Sequence, residues 1–278
     1  MSFERAILGR TGVEVSRIGL ASSYGAPASV VEQAFEQGVN YFYWGSLRRG
    51  KFGDGLRALA PRRDRFLLVT QSYSRIASLI GPSLERALRV LRFDYTDALL
   101  LGLWNGAPPA RILDACSKLR ERGLVRYLAV STHNRPLIAR LAPDPQYDIF
   151  HARYNAVHRG AEREVFPQLL TRNPPGLVSF TATSRRQLLG HKRIPPGEKI
   201  PTAADCYRFV LTQPAVNVCM TGPANSAQFE DALEALRRGP MADDELAWMH
   251  RVGDAIYVRP AALERSGRTH GTFPTLRA

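Results

Sequence analysis

Paired cysteines are missing from this chain. It carries only Cys116, Cys206 and Cys219, an odd number spread far apart with no CxxC spacing. A disulfide framework or a cysteine-based zinc site is therefore not expected, and a reducing cytoplasm is the expected compartment. Lysine is scarce, occurring only at positions 51, 118, 192 and 199. No run of about 18 apolar residues occurs, so no membrane span is expected. The opening MSFERAILGRTG lacks the apolar core of a secretory signal. There is no GxGxxG turn and no Walker A loop, so the two Gly-rich phosphate cradles most easily read from sequence are absent.

What is present is arginine. The 278 residues hold 38 Lys plus Arg against 25 Asp plus Glu, a formal charge of +13. Such a balance raises nucleic acid as a partner. The arginines are scattered (Arg62, Arg63, Arg86, Arg89, Arg120, Arg122, Arg237, Arg238), with no zinc finger, RRM signature or basic tail. We therefore read them as a solvated surface that attracts anions at low salt, and expect a small-molecule ligand, of which an anionic one would suit this charge, rather than nucleic acid. With 45% apolar residues, the chain can bury one large core.

Short apolar runs alternate with helical patterns. RIGLAS, NYFYW, FLLVTQ, DALLLG, RYLAVS, DIFHAR, LVSFTA and VNVCMTG read as strands, dense in apolar residues as buried parallel strands are. Helical stretches lie between them: SVVEQAFEQG, LIGPSLERALRVLR, PARILDACSKLRERG, RPLIARLA, EREVFPQLL, TAADCYRFVLT and SAQFEDALEALRRG. Pro167 is expected to start a new turn or kink its helix. A final helix, DDELAWMHRVGDAIY, has Asp243 as its expected cap, and AILGRTGVEVS reads as a small N-terminal hairpin. Eight strands with crossover helices predict a single α/β domain over 1–278, a (β/α)8 TIM barrel with a hairpin before it, an extra C-terminal helix and a loose tail from about residue 262.

A barrel of this kind keeps its chemistry at the C-terminal ends of its strands. That rule nominates Ser23, Tyr24, Tyr43, Trp44, Gln71, Tyr73, Gly102, Trp104, Ser131, His133, His151, Tyr154, Thr181, Thr183 and Thr221. The rim is aromatic and polar with almost no charge. No carboxylate pair stands there for glycosidase work, no His/Asp set for a metal, and no lysine for a Schiff base.

The blocks ILGRTGVEVSRIGLASSYG, AFEQGVNYFYWG, SLERALRVLRFDYTDALLLG, ERGLVRYLAVST, ARYNAVHRGAEREVFPQL and VNVCMTGPANSAQFEDALEAL, in this order and spacing, resemble the aldo-keto reductase superfamily from about residue 5 to about 257. The resemblance implies a TIM barrel that binds NADP(H), less often NAD(H), and reduces aldehydes and ketones. In that family a tyrosine gives the proton, tuned by an aspartate, a lysine and a histidine, because hydride arriving at a carbonyl carbon leaves charge on oxygen. Carried over residue by residue, the four positions hold Tyr43 for aspartate, Arg48 for tyrosine, Gln71 for lysine and Gly102 for histidine.

The cofactor positions are mixed. Ser131 and His151 stand at the carboxamide positions, with Thr132 where asparagine is usual, and Thr181 falls where an aromatic stacks on the ring. The turn Thr221, Gly222, Asn225 and Ser226 leads into a helix N-terminus suited to a phosphate, Gln228 and Asp231 stand at adenosine positions, and Arg185 and Arg186 are candidates for a 2′-phosphate.

Three readings stay open on the residues alone. One is a divergent reductase-like protein that keeps a nicotinamide dinucleotide but lacks the usual tetrad. Another is a catalytically silent barrel with a binding or regulatory role, with or without a cofactor. The third is a lyase, isomerase or cyclase with Tyr43 as acid, Arg48 as anion clamp and His151 as base. Tyr43 and Trp44 read equally as side chains filling an abandoned centre, with Tyr43 taking the space vacated at Gly102. Oligomeric state is not set by the sequence.

Overall fold

The structure is a computed structural model that describes residues 3–45, 51–191 and 194–257. Two short strands, β1 (Ala6–Ile7) and β2 (Glu14–Val15), pair antiparallel. Eight parallel strands follow: β3 (Ile18–Ala21), β4 (Tyr41–Trp44), β5 (Leu67–Ser72), β6 (Thr96–Leu101), β7 (Val125–Thr132), β8 (Ile149–Arg153), β9 (Gly176–Phe180) and β10 (Val218–Thr221). They close into a barrel in chain order, with β10 pairing back onto β3. The expected (β/α)8 architecture and hairpin are both present.

The core has two layers, set by alternation along each strand. Leu67, Val69, Ala98, Leu100, Ala129, Ile149, Val178 and Val218 fill the barrel interior together with Tyr41. Phe42, Leu68, Leu99, Leu101, Val130 and Phe150 face outward, where the helices cover them. The hairpin plugs the N-terminal end of the barrel. Its Leu8 and Val15 join the interior cluster, the Arg10 amide donates to the Pro174 carbonyl, and the Tyr127 hydroxyl donates to the Thr11 carbonyl.

The covering helices are α1 (Ala28–Glu36), α2 (Phe52–Ala58), α3 (Ala77–Leu91), α4 (Ala110–Glu121), α5 (Arg135–Leu141), α6 (Ala161–Glu164), α7 (Ala203–Thr212), α8 (Ser226–Arg238) and α9 (Asp243–Tyr257). The pattern did not mark α2, because FGDGLRA carries two glycines and reads as a breaker. Gly55 is there for tertiary reasons. A Cβ on it would stand 2.6 Å from Val31 Cβ and 2.8 Å from the Ala28 carbonyl oxygen, so glycine lets α2 lie against α1. Pro167 acts as expected: α6 ends at Val165 (φ −123°, ψ −55°) and a 3-10 turn, Phe166–Leu169, restarts with the proline in its first positions.

The cap of α9 differs from expectation. α9 begins at Asp243 itself, with the Ala242 carbonyl accepting the Leu246 amide at 2.9 Å. Asn134 sits before α5, but its side chain donates to the Asn105 carbonyl rather than capping. A charged cluster ties α7, α8 and α9 together on the outside. The Arg208 guanidinium pairs with both Glu245 oxygens at 2.5 and 2.6 Å, and Arg238 reaches buried Asp205 at 2.8 Å.

Candidate functional site

A cavity of about 590 Å³ opens at the C-terminal ends of the strands, within the size range of small-molecule sites. Its lining includes Tyr43, Gln71, Leu100, Ser131 and His151 from the strand tips, with Tyr24, Tyr73, Phe180, Thr181, Thr183, Arg185, Arg186, Tyr207, Thr221, Gly222, Gln228 and Asp231 around them. Most of the residues nominated from strand tips thus converge here.

Tyr43 follows Tyr41 on the inward face of β4. Its hydroxyl donates to the Gln71 amide oxygen on neighbouring β5. Gly102 lies just past β6, beside that same amide. A Cβ at residue 102 would overlap the Gln71 amide nitrogen and stand 2.9 Å from the Tyr73 ring. The space at Gly102 is therefore filled by Gln71, not by Tyr43 as the sequence suggested. The polar amide reaches there because its oxygen is already held by the phenol. Gly45 hems in the same group from the other side, since a Cβ there would meet the Tyr43 ring at 2.9 Å and overlap Gln71 Cβ.

Below this layer His151 Nε2 lies 2.8 Å from the Tyr41 hydroxyl. Burial lowers the His151 pKa to about 3, so the imidazole is neutral at ordinary pH. A neutral ring has one donor and one acceptor nitrogen. Burial also raises the Tyr41 pKa well above the usual phenol value. The pair is two neutral groups sharing one hydrogen bond. Ser131 is the register partner of His151, and its oxygen accepts the Leu103 amide at 2.9 Å. Its own hydroxyl hydrogen is free to donate towards a ligand.

On the far side, Asn225 caps α8 by accepting the Gln228 amide at 3.0 Å, while Gln228 Oε1 accepts the Ala224 amide at 2.9 Å. This reciprocal cap spends two of the donors expected to meet a phosphate, leaving the amides of Ser226 and Ala227 as the helix-end donors. Asn225 and Ser226 do not line the cavity, whereas Thr221, Gly222 and Gln228 do. The Thr221 hydroxyl lies 2.9 Å from the Tyr207 hydroxyl, and Tyr24 lies close over Gly222, where a Cβ would come within 2.5 Å of its ring.

Several nominated residues stand elsewhere. Trp44 faces outward into the helix layer and is buried. Tyr154 does too, donating to Glu162 at 2.7 Å and stacking on Phe209 at 5.6 Å. Trp104 lies under the Arg75 guanidinium, 4.1 Å from it, away from the cavity. His133 flanks the cavity with its ring 5.6 Å from that of Phe180. Arg48 lies outside the described residues.

Thr181 reaches the cavity through a left-handed backbone (φ 60°), with its hydroxyl turned back onto the Phe180 carbonyl at 2.6 Å. The aromatic face at this strand tip is Phe180, one residue earlier, which the sequence reading passed over. The signal was available: Phe180 shares parity with inward Val178. Among the described residues no cluster of metal-ligating side chains occurs, and no helix is long and apolar enough to cross a membrane.

The comparisons agree with this fold. The sequence model of the Aldo/keto reductase family matches residues 28–193. L-galactose dehydrogenase of Arabidopsis thaliana is 25% identical over 200 residues, spanning 63% of this chain and 54% of that protein, so the match covers about half of the relative's length. The apo and holo structures of aldo-keto reductase AKR11C1 from Bacillus halodurans share the fold. Each superposes with a TM-score of 0.73 at 20% identity over 91% of this chain and 96% of theirs.

Proposed function

Because the chain belongs to the aldo/keto reductase family, we propose that its barrel-mouth cavity takes a nicotinamide dinucleotide, NADP(H) or NAD(H), and serves an oxidoreductase reaction without the family's Asp/Tyr/Lys/His tetrad. The observation that carries this reading is the Tyr43 hydroxyl, on the cavity floor and held by Gln71. It offers a phenol from a strand position where the family resemblance calls for an aspartate.

The residues fit such a cofactor. Ser131 has a hydroxyl hydrogen to give a carboxamide oxygen, neutral His151 lies on the next strand, and Phe180 offers a ring face. Ser226 and Ala227 present amides at a helix N-terminus, where a phosphate is favoured. Arg185 and Arg186 line the same cavity. When bound, the nicotinamide would supply or accept the hydride.

Tyr43 would then turn its hydroxyl hydrogen from the Gln71 oxygen to the substrate oxygen and give up the proton there. Gln71 fixes the direction of the phenol but, being a neutral amide, brings no charge to it. An ammonium group in that place would favour the phenolate electrostatically. Slow turnover follows from that difference. Titration of the full chain with NADPH and with NADH, read by fluorescence, tests the reading. Saturation in the micromolar range supports it, and no binding at roughly millimolar cofactor sinks it.

A second reading is a silent binding barrel. It is favoured by the direction of the Tyr43 hydrogen bond, towards Gln71 rather than the cavity, and by the α8 cap that consumes phosphate donors. Cofactor binding with no turnover across a panel of aldehydes would select it.

A further inference from the structure

Three adjacent strands, β7, β8 and β9, carry a second inward layer above Ser131 and His151. Strand alternation puts Arg153 on the same face as His151, two residues later, and register pairs Arg153 with Phe180. His133 stands two residues beyond Ser131, its ring against Phe180. From the loop after β9, Arg185 enters the cavity wall. That loop is wound tightly: Ser184, Arg185 and Arg186 all have positive φ, at 48°, 55° and 69°. Non-glycine residues in this region cost about 1–3 kcal/mol each and persist where the surroundings enforce them.

The charges here are uncompensated. Some arginines elsewhere are matched by carboxylates, Arg135 by Glu164 at 2.9 Å, Arg159 by Asp254 at 2.6 Å and Arg63 by Asp97 at 2.6 Å, and others, such as Arg17 and Arg75, are held by backbone carbonyls. Among the described residues, no carboxylate pairs with Arg153 or Arg185. Arg153 is half-buried, and a half-buried guanidinium left unpaired is costly; Arg185 is exposed at the cavity wall. The local field shows in its neighbours. Burial lowers the His158 pKa to about 4, with help from Arg153, Arg135 and Arg185. Burial and then Arg153 and Arg185 also lower that of His133.

We propose that Arg185 on the cavity wall and Arg153, the register partner of Phe180 just outside the lining, form the seat for an anionic group, a carboxylate or phosphate ester, on the substrate that enters the barrel mouth. This rests on reading the cavity as a redox site, and it names the substrate class as an anionic carbonyl compound or its alcohol. Arg153 rises from β8 above His151 and Ser131, three strands round the barrel from Gln71, four from Tyr43, and two from the β10 turn that feeds α8. It is thus placed for the substrate's far end rather than for the phosphate at the helix. Guanidinium groups suit both oxyanions, gripping them through two parallel N–H donors.

The test is calorimetry on the full chain with two probes alike but for charge, 4-carboxybenzaldehyde and methyl 4-formylbenzoate, with and without NADPH. The expected result is about 10- to 100-fold tighter binding of the acid, as a charged hydrogen bond commonly gives. Arg153→Gln and Arg185→Gln should each remove most of that preference, and Arg153→Lys should keep part of it. Thermal melts establish that each variant folds. Should Arg153→Gln fail to fold, Arg185→Gln carries the test, since its side chain lies on the cavity wall. Equal binding of acid and ester, or a preference that survives both Gln variants, overturns the proposal. So does a loss in Arg185→Gln confined to NADPH over NADH with the acid preference intact, which would give the arginine to the cofactor's phosphate. Acid preference without NADPH binding keeps the anion seat and overturns only the cofactor reading.

Discussion

The phenol of Tyr43 donates to the amide oxygen of Gln71, and the missing side chain at Gly102 is what gives that amide its place. Three strands contribute to one small polar joint at the cavity floor. Gly102→Ala should break it. The new methyl overlaps the Gln71 amide nitrogen and crowds the Tyr73 ring, so Gln71 must leave its bond with Tyr43. We expect a loss of about 1–3 kcal/mol, typical of overpacking, in urea denaturation. Combined with Gln71→Ala, the substitution should cost much less. Additive losses in the double variant would show that the two side chains do not share this space.

Tyr43→Phe separates chemistry from binding. Only the hydroxyl is removed, so the fold should lose about 1 kcal/mol, the usual net worth of one hydrogen bond, and NADPH affinity should hold within a factor of about 2. If reduction is measurable on any aldehyde, turnover should fall roughly 10²-fold or more, the contribution of a positioned general acid. Unchanged kcat in a variant that binds cofactor normally would remove Tyr43 from the chemistry.

His151 makes stability depend on pH. Its folded-state pKa is lowered to about 3 by burial, against 6.5 for the ordinary side chain. The native ring is therefore neutral where the unfolded ring takes a proton. The stability tied to neutral His151 is fully present above about pH 6.5 and drains away as pH falls towards 3, at up to about 1.4 kcal/mol per pH unit. His158, lowered to about 4 by burial and neighbouring arginines, drains in an overlapping window. The measurement is accordingly a comparison. His151→Gln, which keeps a hydrogen-bonding group near Tyr41, should show a shallower decline between about pH 6.5 and pH 4.5 than the parent. Parallel curves would mean that the imidazole titrates normally in the fold.

The barrel was legible because eight dense apolar runs recur at βα spacing, and periodicity needs no tertiary knowledge. The lining of the candidate cavity was legible by position, since Tyr43, Gln71, Ser131, His151 and Thr221 all stand around it. What failed was direction. Trp44 and Tyr154 sit at strand tips as nominated, yet their parity turns them outward into the helix layer. Phe180 has the inward parity and lines the cavity, yet is not among the strand-tip nominations. Parity becomes readable only when one residue of each strand is anchored, and Ser131 paired with His151 supplies that anchor for β7 and β8. α2 was hidden for another reason: Gly55 answers to the approach of α1, a contact no local pattern encodes.

Two helical glycines should respond in opposite directions to the same change. Alanine is favoured over glycine inside a helix by about 0.8–1 kcal/mol. Gly81 lies within α3, and a Cβ there meets only Leu119 Cδ2 at an ordinary 3.7 Å. Gly81→Ala should therefore stabilise the protein by up to about 1 kcal/mol. Gly253 lies within α9, where a Cβ would overlap the backbone carbonyl oxygen of Ala156. Backbone cannot swing aside as a flexible side chain can, so the overlap outweighs the propensity gain. Gly253→Ala should cost about 1–3 kcal/mol net and loosen α9 from the barrel, detectable as faster amide exchange along that helix with the strands unaffected. If both variants gain stability alike, α9 does not pack on Ala156 as closely as its glycine indicates.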